Sequence, residues 1–97
     1  MIIRVVSYIA RPDEDVEGWA QGVASELRGM PGLRHLEFVR SQSNPSEYGA
    51  VMYFKTMEDI DNYKTSEFYQ KFVQELRETW LDESKPSTEQ IFEVLDI

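Results

Sequence analysis

The run from Tyr48 to Val73, YGAVMYFKTMEDIDNYKTSEFYQKFV, constrains this chain more than any other. Its first residues read as a strand over Tyr48–Lys55, and successive side chains of a strand point to opposite faces. Apolar residues nevertheless fall on both. Tyr48, Ala50, Met52 and Phe54 share one side, while Gly49, Val51 and Tyr53 share the other. A strand of that kind needs a cover on each face. The helical residues after it supply only one. Thr56 is suited to cap a helix, with Asp59 at the capping-box position. Ile60 and Tyr63 then mark a short helical segment. A second segment, re-capped by Thr65 or Ser66, carries Phe68, Tyr69, Phe72, Val73, Leu76 and Trp80. Glu67 and Lys71 are spaced to pair across one of its turns.

The remaining chain supplies the neighbours of that strand. Ile2–Ala10 is rich in β-branched residues and is broken by Arg11-Pro12-Asp13, since proline cannot donate to a ladder. Ile3, Val5 and Ile9 with Ser7 fall on one of its faces. Ile2, Val6, Tyr8 and Ala10 with Arg4 fall on the other. A helix is predicted from Asp13–Asp15, whose acids suit the positive end of a helix dipole. Val16, Trp19, Ala20, Val23, Ala24 and Leu27 form its apolar stripe, and Gly29 with Met30-Pro31-Gly32 stops it. Leu33–Arg40 reads as a second strand, Ser41–Ser46 as a loop, Leu81–Glu89 as a polar loop and Gln90–Ile97 as a last strand. The order βαββαβ is an α+β, ferredoxin-like plan with a four-stranded antiparallel sheet. At 97 residues the expectation is a single domain over 1–97.

In that plan both helical segments cover the same sheet face. The other face is expected to expose Val6, Tyr8, Val51 and Tyr53, a larger apolar patch than monomers usually carry. Burying each such side chain is worth about 1.5–3 kcal/mol. Two copies are therefore expected to associate face to face, with a cavity enclosed between them.

Composition removes several function classes. Eighteen acidic residues against ten basic ones give a formal charge of -8, which disfavours nucleic acid and anionic membranes as partners. Without cysteine there is no disulfide, thiolate zinc site, iron–sulfur cluster or thiol catalysis. No apolar run approaches the roughly 18 residues of a membrane span, and the opening residues do not read as a signal peptide. A cytoplasmic protein with no membrane partner is expected. His35 is the only histidine, so no histidine cluster can hold a metal, and no metal site is expected. His35 is a candidate general base, with a hydrogen-bonded surface residue as the alternative reading. Tyr8, Tyr53, Tyr63 and Tyr69 are candidates to line a cavity, with plain core packing as their alternative.

The element order, the opening MIIRVVSYIARPDE, the turn MPGLRHLEFVRS and the run YFKTMEDIDNYKTSEFYQKF together resemble the dimeric α+β barrel proteins. Among these the chain is most similar to the antibiotic biosynthesis monooxygenase group. The resemblance implies a homodimer whose two sheets close into an α+β barrel, with a small-molecule pocket in each half. It implies a small, largely apolar aromatic ligand and, if the protein is an enzyme, cofactor-independent oxygenation. A non-catalytic binding or structural dimer of the same fold is the alternative. On this reading His35 and Tyr53 are the candidate catalytic residues, and Tyr8, Tyr63 and Phe68 the candidate ligand-binding ones. Haem-degrading relatives use an Asn on the first strand, a Trp and an axial His. Here the first strand has no Asn, and the positions of the other two fall near Tyr63 and Val73. No haem or other cofactor is therefore expected.

Overall fold

A computed structural model describes all 97 residues, Met1–Ile97. The elements run β1 (Ile2–Ile9), α1 (Val16–Arg28), β2 (Leu33–Arg40), β3 (Glu47–Phe54), α2 (Met57–Thr65), α3 (Glu67–Glu75), a π-helical segment (Leu76–Trp80) and β4 (Thr88–Glu93). The strands form one antiparallel sheet in the order β2-β3-β1-β4. This is the ferredoxin-like arrangement expected from the element order, with β3 and β1 at its centre.

Local chemistry sets the element ends. Asp15 caps α1 by accepting from the Gly18 N–H, and Asp13 turns the chain just before it with φ 66°. Gly29 closes the same helix in right-handed geometry, its N–H reaching the carbonyls of Ser25 and Glu26. The left-handed residue that re-aims the chain into β2 is Gly32, at φ 86°. Thr56 accepts from the Asp59 N–H at 3.1 Å, and Ser66 from the Tyr69 N–H at 3.2 Å. Of the two candidates for the second cap it is therefore Ser66 that starts α3. Glu67 and Lys71 do pair, at 3.1 Å on the exposed side of that helix.

The core lies between the sheet and the helices. Leu27, Leu36, Met52, Phe54, Ile60 and Tyr63 are buried there, with Phe54 and Ile60 wholly excluded from solvent. The stripe of α1 closes over it through Val16, Ala20, Ala24 and Leu27, all buried.

Register corrects the expected exposed face. Directly paired residues of an antiparallel ladder share a face, and Val6 pairs with Ala50 while Tyr8 pairs with Tyr48. Val6 and Tyr8 therefore lie on the helix side with the core. The open face instead joins Ile3 to Tyr53 and Val5 to Val51, and Ile3 also to Phe92 of β4. Both sides of β1 are apolar, so only the pairing with β3 decides which one turns outward.

Apart from shifts of one residue at the ends of β1 and β3, the chain departs from the expected boundaries in two places. The last strand is Thr88–Glu93 rather than Gln90–Ile97. Thr88 and Glu89 read as loop by polarity, but the Thr88 hydroxyl pairs with that of Ser7 at 2.6 Å and Glu89 is held by Arg4. The helical run to Trp80 breaks after Glu75 into the π segment, which brings Leu81 back onto β1. Leu81 bridges Ala10 and is buried, so it belongs to the core rather than to a polar loop.

Candidate functional site

The apolar stripe of α3 is not fully buried at any position, although helix and sheet face one another across it. Phe68, Tyr69, Phe72 and Val73 are all only half-buried. The space left beneath the helix is a cavity of about 580 Å³. Its floor is the helix side of the sheet, including Val6, Tyr8, Phe38, Ala50 and Met52. Tyr63, Lys64, Tyr69 and Phe72 form the roof, and Leu76 and Arg77 of the π segment close one end. Ala50 sits in the middle of β3, so a small side chain occupies the place where a larger one would fill the void. A shallower groove of about 340 Å³ lies beside it under α1, sharing Tyr8 and Phe38.

Aromatic rings make up much of the roof. Phe54 meets Tyr63 edge-on at 5.3 Å between ring centres, and Tyr63 meets Tyr69 at 4.9 Å. Phe72 lies 6.1 Å from Tyr69 and stacks on Trp19 at 4.9 Å. Burial, helped by Tyr48, pushes the Tyr8 hydroxyl up to about 12. Burial, with Tyr69 adding, raises that of Tyr63 further. Both therefore stay neutral and can donate a hydrogen bond across the physiological range.

One wall is ionic. Arg4, on the central strand β1, is only 5% exposed. Its Nε donates to Glu89 Oε2 at 2.6 Å and its Nη2 to the Tyr69 hydroxyl at 2.9 Å. Its remaining contact is from Nη1 to the Met52 sulfur at 3.7 Å. The guanidinium also lies over the Tyr69 ring, 5.5 Å from its centre. Lys64 donates to the same Glu89 carboxylate at 3.0 Å. Hydrogen bonds from Arg4 and then Lys64 hold the Glu89 carboxyl below the usual range.

The residues singled out in the sequence separate into two groups. Tyr8 and Tyr63 line the cavity, and Phe68 packs against the core beside it. His35 and Tyr53 lie together on the opposite, open face of the sheet, paired across β2 and β3 with ring centres 5.6 Å apart. The His35 Nε2 shares a 2.7 Å hydrogen bond with Glu37, and both side chains are more than half exposed. Arg4, Lys64 and Glu89 are not among the site residues predicted from sequence. Only Arg4 leaves a trace there, as the single charge on a strand otherwise apolar or neutral. No group of three or more His, Cys, Asp or Glu side chains is placed to hold a metal, and no helix is long and apolar enough to cross a membrane.

Comparison with known proteins places the fold. The family model for antibiotic biosynthesis monooxygenase matches residues 1–75. A candidate antibiotic biosynthesis monooxygenase from Deinococcus radiodurans is 11% identical, with a TM-score of 0.81 over 100% of this chain and 95% of its own. Rv0793 from Mycobacterium tuberculosis is 16% identical, with a TM-score of 0.80 over 99% and 96% of the two chains. A variant of SnoaB, a cofactor-independent oxygenase from Streptomyces nogalater, is 12% identical, with a TM-score of 0.78 over 99% and 94%. No curated protein matches the chain in sequence.

Proposed function

The chain belongs to the antibiotic biosynthesis monooxygenase family, and from that premise we propose that it binds a small, largely apolar aromatic molecule in the cavity beneath α3. The observation that carries this reading is an amphipathic helix that touches the core through Phe68, Tyr69 and Phe72 yet leaves its apolar stripe half-buried along a cavity of about 580 Å³. Such a helix leaves several rings half-buried, and an aromatic guest would complete their burial at roughly 25 cal/mol per Å² of apolar area covered. Tyr63 and Tyr69 offer ring faces, while Tyr8 and Tyr63 offer neutral hydroxyl donors to a quinone or phenol oxygen.

The chemistry we propose is cofactor-independent oxygenation, the activity named for the structurally similar SnoaB. An electron-rich phenol, hydroquinone or anthrone supplies the electrons itself once deprotonated. For an anthrone, the ring methylene loses both hydrogens and gains one oxygen atom as a carbonyl, while the second atom of O₂ leaves as water. The protein then contributes orientation, exclusion of water and a favourable field for the anion. Two copies associate through the open sheet face, where Ile3, Val5, Val51, Tyr53 and Phe92 await a cover. In that pairing His35 and Tyr53 lie at the interface.

A binding role without turnover has one specific observation in its favour. The titratable groups of the cavity are poor bases: Tyr8 and Tyr63 are held neutral, and Glu89 is tied to two cations. Oxygen uptake against a panel of hydroquinones and anthrones separates the two roles. Catalysed uptake with a hydroxylated or quinone product supports the oxygenase. Saturable binding with no uptake above the uncatalysed rate leaves a binding protein.

A further inference from the structure

Charge is distributed around this cavity in the opposite sense to the chain as a whole. The protein carries 18 acidic and 10 basic residues. Its cavity wall nevertheless holds three basic side chains, Arg4, Lys64 and Arg77, and a single acidic one, Glu89. The Glu89 carboxylate is shared between Arg4 and Lys64, so one negative charge answers two positive ones, and Arg77 adds a third. A concave, low-dielectric wall with such a positive excess focuses the field within it.

Donor accounting at Arg4 points the same way. A guanidinium has five N–H donors and no acceptor. Here one goes to Glu89 and one to Tyr69, and Nη1 has only the sulfur of Met52, a weak acceptor, at 3.7 Å. The Tyr69 oxygen accepts from Arg4, which leaves its own proton free to donate. Buried donors of this kind are normally satisfied, and an anion lying against Arg4 and Tyr69 would satisfy both at once.

We infer that the ligand of this cavity is an aromatic anion, a planar carboxylate or acidic phenolate whose charge rests against Arg4, Tyr69 and Lys64. The inference rests on the aromatic-cavity reading and narrows it. A guest that enters as a phenolate already has its reacting group deprotonated and needs no protein base, whereas a carboxylate contributes its charge to binding alone. Arg4 and Lys64 act as binding residues, and Glu89 positions them.

Calorimetric titration with 2-naphthoate and 2-naphthamide, probes of the same ring system and nearly the same shape, tests this directly. The carboxylate is expected to bind at least about tenfold more tightly, a difference of about 1.4 kcal/mol, and the ratio should narrow as salt is added. Arg4→Met should abolish the preference. Should that buried substitution fail to fold, a Lys64→Gln, Arg77→Gln double variant decides, since both positions are at least partly exposed; it should cut the ratio several-fold. Equal or tighter binding of the amide overturns the charge inference while leaving an aromatic cavity in place. A preference that neither folded variant alters overturns it as well. Failure of both probes to bind overturns the cavity reading and the inference together.

Discussion

Arg4 is the residue on which fold and site meet. It lies on a central strand where a lone charge would be costly to bury, and it is kept there by Glu89 and Tyr69, 85 and 65 positions away. That separation is why the sequence does not announce it: an isolated arginine on an apolar strand reads as an edge or solvent position. Tyr8 and Tyr63 are easier, because ring-bearing positions on a core face have few other places to go. The partnership of Arg4 and Glu89 has a testable pH signature. The native Glu89 carboxyl sits below its usual value, first because of Arg4 and then Lys64. The unfolded chain therefore takes up the proton first as pH falls. The stabilisation is complete above the ordinary glutamate value of about 4.3 and is lost as pH drops through the lower native value. Glu89→Gln should reduce stability by about 1–2 kcal/mol at pH 7, a modest figure because the carboxylate is partly exposed. Urea melts should show that difference narrowing steadily below about pH 4. A difference that stays constant with pH would mean that the ion pair contributes nothing through its charge.

Elements are legible where a short-range signal defines them. Thr56 and Ser66 mark α2 and α3 as two helices rather than one, and both caps are made. The order βαββαβ comes from counting such signals. Legibility ends where long-range pairing decides. β1 offers two apolar faces, and only its register with β3 turns Val6 and Tyr8 inward and Val5 outward. The polar residues Thr88 and Glu89 belong to a strand because Ser7 and Arg4 await them, a fact invisible to local composition. Gly49 is a sharper case. Its small size suggests room beside Tyr53, whereas it permits close approach of β1: a Cβ there would run into the Val6 carbonyl oxygen. That oxygen belongs to a backbone held on both sides by ladder partners, so it has little freedom to yield. Gly49→Ala should therefore destabilise the fold by about 1–3 kcal/mol in a denaturant melt, as overpacking does. This outweighs the gain of up to about 1 kcal/mol that removing a strand glycine ordinarily brings. A neutral or stabilising result would show that β1 and β3 can separate at no cost.

For the molecule as a whole, the sheet assigns its two faces to different tasks. The helix side holds the core and the cavity, and the other side leaves Ile3, Val5, Val51, Tyr53 and Phe92 only partly covered. Beyond β4, Val94, Leu95 and Ile97 are exposed as well. His35, Glu37, Ser7 and Thr88 give the open face a polar margin, the anatomy of a specific protein interface. We propose accordingly that the open face is a subunit contact and the covered face a ligand site. Substitution on one should leave the other intact. Sedimentation equilibrium at micromolar concentration, run on the natural chain beside Val51→Lys, tests this most directly. The expected result is a natural species of twice the 11.4 kDa chain mass, and a Val51→Lys chain that is monomeric yet folded. A natural chain that sediments as a stable, folded monomer of 11.4 kDa would contradict the division of faces.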